Sequence, residues 1–173
     1  VLVALLAVGA SSIFLNYRST VATVDQMMSE TAVLAAERIE EELIAYKNVA
    51  MDTGRISQLT NSFTSVEEKR SIIDQRVSLH GFQRGNVIGL DGVSIFDGKD
   101  YSDREYVQRA MQGEVYVSQP LVSKITGELS IMVAAPIYSG QNTIAGVVYF
   151  VPPETFLNDI VSSIKVSKNS RAY

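Results

Sequence analysis

The segment from residue 17 to residue 50 constrains this chain most, because it contains neither proline nor glycine. Its apolar residues recur at spacings of three and four, which predicts one amphipathic helix over residues 17–52. At about 1.5 Å per residue, a helix of about 34 residues is roughly 50 Å long, more than a small domain needs for its own core. We therefore expect a stalk helix. Its apolar stripe consists of Val21, Val24, Met28, Ala32, Ala35, Ile39, Leu43, Tyr46 and Val49.

Two packing partners suit this stripe. Its spacing approaches a heptad repeat, which favours pairing with a second copy of the chain, so we expect a homodimer. Packing of the helix on its own domain explains the C-terminal half of the stripe equally well. We expect both interpretations to hold, each for a different half of the helix.

The residues before the stalk are uncharged from Val1 to Leu15, and Arg18 carries the first charge. A membrane-spanning helix needs about 20 apolar residues, so we interpret residues 1–16 as the end of a transmembrane anchor. A signal-peptide core or a buried core helix would give a similar pattern. We expect the chain to be a piece of a longer membrane protein, with the remainder of this piece outside the cytoplasm, in the periplasm or the extracellular space.

Composition excludes several classes of function. A net charge of −4 without a basic patch argues against nucleic-acid binding. The absence of cysteine removes disulfides, thiol nucleophiles and cysteine-based zinc sites. His80 is the one histidine, so no histidine-based catalytic triad or histidine-rich metal site can form. The aspartates between residues 91 and 103 do not have the spacing of a calcium loop. We therefore expect neither an enzyme, nor a metal site, nor a cofactor.

The rest of the chain predicts an α+β fold. Ser65 and Glu68 have the spacing of a capping box, and Gly81 suits the end of the helix that follows. Hairpin turns such as Asp91-Gly92 imply an antiparallel sheet. The five predicted strands cover residues 86–90, 93–96, 115–117, 129–138 and 145–151.

Two covering layers are expected on this sheet. The run Ile131–Ala135 does not alternate between apolar and polar residues, so both faces of the sheet should be buried. We expect the long helix on one face, and on the other a helix over 104–111 capped by Ser102 or Asp103, with a cavity beneath it. This module covers residues 53–151, and residues 152–173 form a closing helix and the start of a second, missing module.

Several short motifs occur together in this module. They are Ser102-Asp103-Arg104-x-Tyr106, Val117-Ser118-x-Pro120, Ser123-Lys124-x-Thr126-Gly127 and Ala135-Pro136-Ile137-Tyr138. With the long helix and the predicted anchor, they resemble the membrane-distal half of a double Cache (extracellular PAS-like) sensor domain of bacterial methyl-accepting chemotaxis proteins. The resemblance implies a PAS-like five-stranded sheet that binds a small solute and transmits a signal to a cytoplasmic module. That module would be a chemotaxis signalling hairpin, a histidine kinase or a cyclic-dinucleotide enzyme. A structural stalk or dimerisation module without a ligand is the alternative.

Arg104 is the first candidate for ligand binding. Its guanidinium offers a planar fork of donors suited to a carboxylate, and it stands in the motif where the resembling family keeps a ligand-contacting arginine. The competing interpretation is that Arg104 pairs with Asp100 or Asp103 and holds its helix on the sheet.

Six further residues are candidates for the site. Tyr106 and Tyr116 would line it with a ring and a hydroxyl, Tyr101 would lie at its rim and Tyr149 at its floor. Ser118 and Ser123 would supply small polar groups from the facing loop. Packing in the core explains each tyrosine as well.

One branch of the resembling family senses amino acids through a fuller motif, which this chain does not keep. Lys99 and Tyr106 replace its first tyrosine and its tryptophan, while Leu121, Ser123 and Val151 replace a tyrosine and two aspartates. An ammonium group needs acidic or aromatic partners. The sequence therefore predicts a small carboxylate or another polar metabolite rather than an amino acid.

Overall fold

The computed structural model of the chain describes residues 2–140, 143–156 and 158. Residues 40–158 belong to one compact unit, and the segment before residue 40 belongs to another. Within the described residues, no helix has both the length and the apolar character needed to cross a membrane. The anchor over residues 1–16 and the domain boundaries stay predictions.

Helix α1, Leu2–Gly54, is continuous over 53 residues and extends beyond the predicted stalk at both ends. Its last residue touches the sheet so closely that a Cβ atom at Gly54 would lie 2.1 Å from the carbonyl oxygen of Pro136. Only glycine fits this contact. A short 3₁₀ helix, Ser57–Leu59, follows.

Helix α2, Val66–His80, has the predicted capping box. The backbone N–H of Glu68 donates to Ser65 Oγ at 3.2 Å, and the N–H of Ser65 donates to Glu68 Oε2 at 2.8 Å. Gly81 ends the helix in the left-handed region at φ 72°. These bonds satisfy amides that have no partner inside the helix, so the prediction is confirmed.

A four-stranded antiparallel sheet forms the centre of the unit. Its strands are β1 (Arg84–Ile88), β2 (Tyr116–Val117), β5 (Val133–Tyr138) and β6 (Ile144–Val151), in the order β1-β6-β5-β2. Strands β3 (Leu121–Val122) and β4 (Leu129–Ser130) pair separately as a small hairpin. Helix α3, Glu105–Met111, connects β1 to β2 in sequence.

The expected count of five strands in one sheet is therefore wrong for the described residues. The predicted strand over 93–96 makes only isolated bridges, from Ile88 to Ser94 and from Val93 to Asp100. Ser94 closes this segment on itself, because its amide donates to the Lys99 carbonyl and its hydroxyl accepts from the amides of residues 96 and 97.

The predicted long strand over 129–138 is divided into β4 and β5. Met132 lies at the break, and its amide donates to the side-chain oxygen of Ser118 at 2.9 Å instead of continuing a ladder. The hairpin partner β3 was not predicted from the sequence.

The helix boundaries around α3 also differ from the expectation. Arg104 is the N-cap residue, and no side chain caps the helix, so neither Ser102 nor Asp103 has that role. Residues 154–156 and 158 are helical. The rest of the predicted closing helix and the start of a second module lie outside the described residues.

The sheet is covered on both faces, as the sequence predicted. We call the face towards α1 and α2 the apolar face and the face towards α3 the tyrosine face. The apolar face consists of Val87, Val133, Ala135, Ile137, Val148 and Phe150, with Ala50, Leu59, Ile73 and Phe82 packed on it. The tyrosine face consists of Ile88, Met132, Ala134, Val147, Tyr149 and Val151, with Tyr101, Tyr106, Val107 and Ala110 packed on it.

Candidate functional site

Three tyrosines meet at the centre of the tyrosine face. Tyr149 comes from β6, Tyr106 from the first turn of α3 and Tyr101 from the loop before α3, and each is about 1% exposed. The ring centroid of Tyr149 lies 5.9 Å from that of Tyr101 and 5.2 Å from that of Tyr106. These rings fill the centre of the space in which the sequence predicted a cavity.

Hydrogen bonds hold the hydroxyls of Tyr149 and Tyr101 in position. Ser94 donates to Asn86 Oδ1 at 2.8 Å, and Asn86 Nδ2 donates to the hydroxyl of Tyr149 at 3.3 Å. The hydroxyl of Tyr101 donates to Asp97 Oδ2 at 2.9 Å. The site is therefore built from polar groups that are held in fixed positions inside the fold.

Two arginines act on these hydroxyls. Burial raises the pKa of Tyr106, and the positive charge of Arg104 partly opposes that shift. Burial likewise raises the pKa of Tyr149, and the charge of Arg84 is among the influences that oppose it. The tyrosines are therefore neutral at physiological pH, and the hydroxyls of Tyr106 and Tyr149 are each influenced by the positive charge of one arginine.

Arg104 is half-buried at the start of α3. Its Nε is shielded from solvent and has no hydrogen-bond partner. The closest acidic contact is Asp103 Oδ1 at 3.9 Å, which is too long for a hydrogen bond. Asp100 accepts from the amide of Ser102 instead. Pairing with either aspartate therefore leaves donors of Arg104 unused.

Arg84 is the site residue that sequence reasoning missed. It begins β1, and strand alternation places its side chain on the same face as Asn86 and Ile88. One terminal nitrogen donates to Ser123 Oγ at 2.9 Å, while Nε is buried and has no partner. Within the described residues, no carboxylate forms an ion pair with it. The sequence-based prediction began this strand at residue 86, so Arg84 was not recognised as lying on the same face as Asn86.

Lys124 ties two loops together over the tyrosines. Its ammonium contacts the carboxylate of Asp103 and donates to the carbonyl of Asp100 at 2.7 Å. Lys99 donates to the carbonyl of Lys124 at 3.0 Å. The hydrogen bond from Lys124 lowers the pKa of Asp103. Asp103 is thus neutralised mainly by Lys124 rather than by Arg104.

The structure brings some of the predicted site residues together and separates others. Tyr101, Tyr106, Tyr149 and Arg104 lie on the tyrosine face, and Ser123 joins them through Arg84.

Ser118 and Tyr116 have other surroundings. Ser118 accepts from the amide of Met132 and donates its own amide to the Met132 carbonyl, which is a structural role. The ring of Tyr116 lies 5.5 Å from the Arg109 guanidinium, and a hydrogen bond with Glu105 raises the pKa of Tyr116. The assignment of all seven residues to ligand binding stays a prediction.

No family model and no curated protein matches this sequence. Solved structures do match. The ligand-binding domain of the Campylobacter jejuni chemoreceptor Tlp3 in complex with 4-methylisoleucine has a TM-score of 0.66 and 14% identity, over 83% of this chain and 62% of that one. The fold is that of a chemoreceptor ligand-binding domain.

Two ligand-binding domains from Pseudomonas chemoreceptors have the same fold. The domain of the P. aeruginosa amino-acid chemoreceptor PctC in complex with GABA has a TM-score of 0.65 and 17% identity, over 79% of this chain and 67% of that one. The domain of the P. fluorescens chemoreceptor CtaA in complex with L-alanine has a TM-score of 0.62 and 16% identity, over 79% of this chain and 63% of that one. The matched region is therefore about two thirds of each of these longer domains.

Proposed function

We propose that this protein is the extracytoplasmic sensor domain of a bacterial transmembrane chemoreceptor and binds a small solute that carries a carboxylate group. The single observation that carries the proposal is Arg104, whose Nε is buried on the tyrosine face without a hydrogen-bond partner. The fold supports the proposal at the level of architecture, since it is shared with chemoreceptor ligand-binding domains.

The chemistry of Arg104 favours a carboxylate. A guanidinium presents parallel N–H donors that match the two oxygens of a carboxylate. A buried donor without a partner costs about 1–3 kcal/mol, which a bound anion would recover. Such groups are rare in native proteins, and a bound ion or ligand is one of the explanations for them.

The ligands of the structural neighbours share this group. 4-Methylisoleucine, GABA and L-alanine differ in side chain and length, but each carries a carboxylate. We propose that the present chain recognises the same group through Arg104, while the remainder of its ligand differs. The finer assignments, a membrane-distal double Cache half anchored by its N-terminal helix, belong to this proposal.

Self-association is part of the same proposal. Two large apolar side chains of the predicted stripe are exposed in the first part of α1, Val21 at 40% and Val24 at 46%. Exposed apolar residues along a helix favour a helical partner. A second copy of the chain would bury them.

The test is thermal unfolding of the purified chain in the presence of organic acids, amino acids and purines. A ligand at 100 times its Kd stabilises the folded state by about 2.7 kcal/mol. We expect a carboxylate compound to raise the melting temperature of the wild type and of Arg55→Met, an exposed control. The same compound should give no increase with Arg104→Met. A full shift in Arg104→Met would exclude Arg104 from the site, and no shift with any compound would refute the proposed function.

A further inference from the structure

We infer that the ligand is a dicarboxylate, one carboxylate of which is bound by Arg104 and the other by Arg84. This inference rests on the proposed function and narrows it to a class of ligand. Two guanidinium groups, each with a buried Nε that has no hydrogen-bond partner, carry the inference.

Arg84 and Arg104 have the same degree of burial and the same missing hydrogen bond. Each is half-buried, and each has an Nε that is shielded from solvent and without a hydrogen-bond partner. Only Arg104 has an acidic neighbour within 4.0 Å among the described residues, and that contact, to Asp103, is 3.9 Å long. Positive charge in a buried site is unfavourable unless an anion accompanies it.

The two arginines belong to one site. Arg84 stands opposite Val151 in the sheet register, and Asn86 stands opposite Tyr149. Arg84 acts on the hydroxyl of Tyr149 and Arg104 on that of Tyr106, and the two tyrosine rings are 5.2 Å apart between centroids. Both arginines therefore act on the same pair of rings, and the inferred ligand spans the two guanidinium groups.

The acidic groups around the site are already engaged. Asp103 is neutralised by Lys124. Asp97 accepts from the hydroxyl of Tyr101 and from the amide of Lys99. Both carboxylates therefore already have partners, and an ammonium group in this site would lie beside two positive charges. A second carboxylate on the ligand would instead satisfy the second guanidinium.

The loop after strand β3 provides a hydrogen-bond partner for Arg84. Ser123 is buried and accepts from Arg84, and it also accepts from the amides of Ile125 and Thr126. The hydroxyl thus fixes one terminal nitrogen of Arg84. Nε of Arg84 is the donor without a partner among the described residues, and the second carboxylate of the inferred ligand binds at this guanidinium.

Calorimetric titration with matched ligands tests the inference. Malonate, succinate and glutarate are compared with monocarboxylates of equal length, and succinate is further compared with butyrate and 4-aminobutyrate. We expect the best dicarboxylate to bind at least about tenfold more tightly than its monocarboxylate, the ratio given by one charged hydrogen-bonding pair. Arg84→Met should remove this preference, because it should weaken binding of the dicarboxylate more than binding of the monocarboxylate. The exposed control Arg55→Met should preserve the preference.

The outcomes separate the inference from the proposed function. Equal affinity for monocarboxylate and dicarboxylate, tighter binding of 4-aminobutyrate, or an equal loss for both classes in Arg84→Met would overturn the dicarboxylate. Each of these results would leave Arg104 as the carboxylate site. Binding of no carboxylate at all would refute the proposed function itself. If Arg84→Met does not fold, as judged by circular dichroism, Arg84→Lys keeps the charge without the planar fork and should retain only part of the preference.

Discussion

The two faces of the central sheet are equally buried but chemically different. On the apolar face, Phe150 is 0% exposed and stacks on Phe82 with ring centroids 4.7 Å apart. On the tyrosine face, the adjacent residue Tyr149 is 1% exposed and its hydroxyl accepts from Asn86. Neighbouring residues of one strand thus serve two environments, because side chains alternate between the faces.

The difference indicates a division of roles. On the apolar face, the buried hydrophobic residues form one continuous cluster. The tyrosine face contains hydroxyl groups and two arginine Nε atoms that have no hydrogen-bond partner among the described residues. The apolar face is therefore expected to supply most of the stability, and the tyrosine face is where we propose that the ligand binds.

The largest expected effect compares two neighbouring residues. Phe150→Ala should lower the free energy of unfolding by about 3–5 kcal/mol, because it leaves a cavity in a close-packed core. Tyr149→Phe should lower it by about 1 kcal/mol, the contribution of one hydrogen bond. Urea unfolding followed by circular dichroism measures both. Equal losses for the two variants would show that the tyrosine face carries stability as the apolar face does.

Much of this contrast could not be predicted from the sequence. Ile131–Ala135 correctly indicated that both faces are buried, because the run lacks polar residues. The capping box at Ser65 and the turn at Gly81 were local signals and were confirmed. Strand pairing is not local, so the break at Met132 and the hairpin of β3 and β4 were missed.

The candidate site shows the same limit. Arg104 and Tyr106 were predicted from a motif that is contiguous in sequence, and Tyr101 lies directly before that motif. Arg84 lies 20 positions before Arg104 and joins the site only through the pairing of β1 with β6. Arg84 became a candidate because its Nε has no hydrogen-bond partner in the structure. The sequence alone does not show which donors have partners, because those partners come from distant parts of the folded chain.

A smaller effect concerns pH. Burial raises the folded-state pKa of Tyr106 above its ordinary value near 10. Below pH 10 both the folded and the unfolded state keep this proton, so its contribution to stability is constant. Above pH 10 the unfolded state loses the proton while the folded state retains it, so the free energy of unfolding falls by up to about 1.4 kcal/mol per pH unit.

Replacing the ionisable group tests this origin of the alkaline loss. Urea unfolding at pH 9, 10 and 11 should give a shallower decline for Tyr106→Phe than for the wild type. Tyr17→Phe, at a side chain that is 69% exposed, should decline as the wild type does. Parallel curves for all three proteins would mean that the alkaline loss arises away from the tyrosine face.

The smallest expected effect is the change in stability when either arginine of the tyrosine face is replaced. Without ligand, Arg84→Met and Arg104→Met should each change the free energy of unfolding by less than about 1 kcal/mol. Removing a guanidinium that has unused buried donors relieves a desolvation cost, and methionine keeps the apolar contacts of the side chain. The loss of the bond from Arg84 to Ser123 offsets part of this gain. Urea unfolding measures these changes beside Phe150→Ala. A loss as large as that of Phe150→Ala would make the two arginines structural and would leave the tyrosine face without a reason for its unpaired donors.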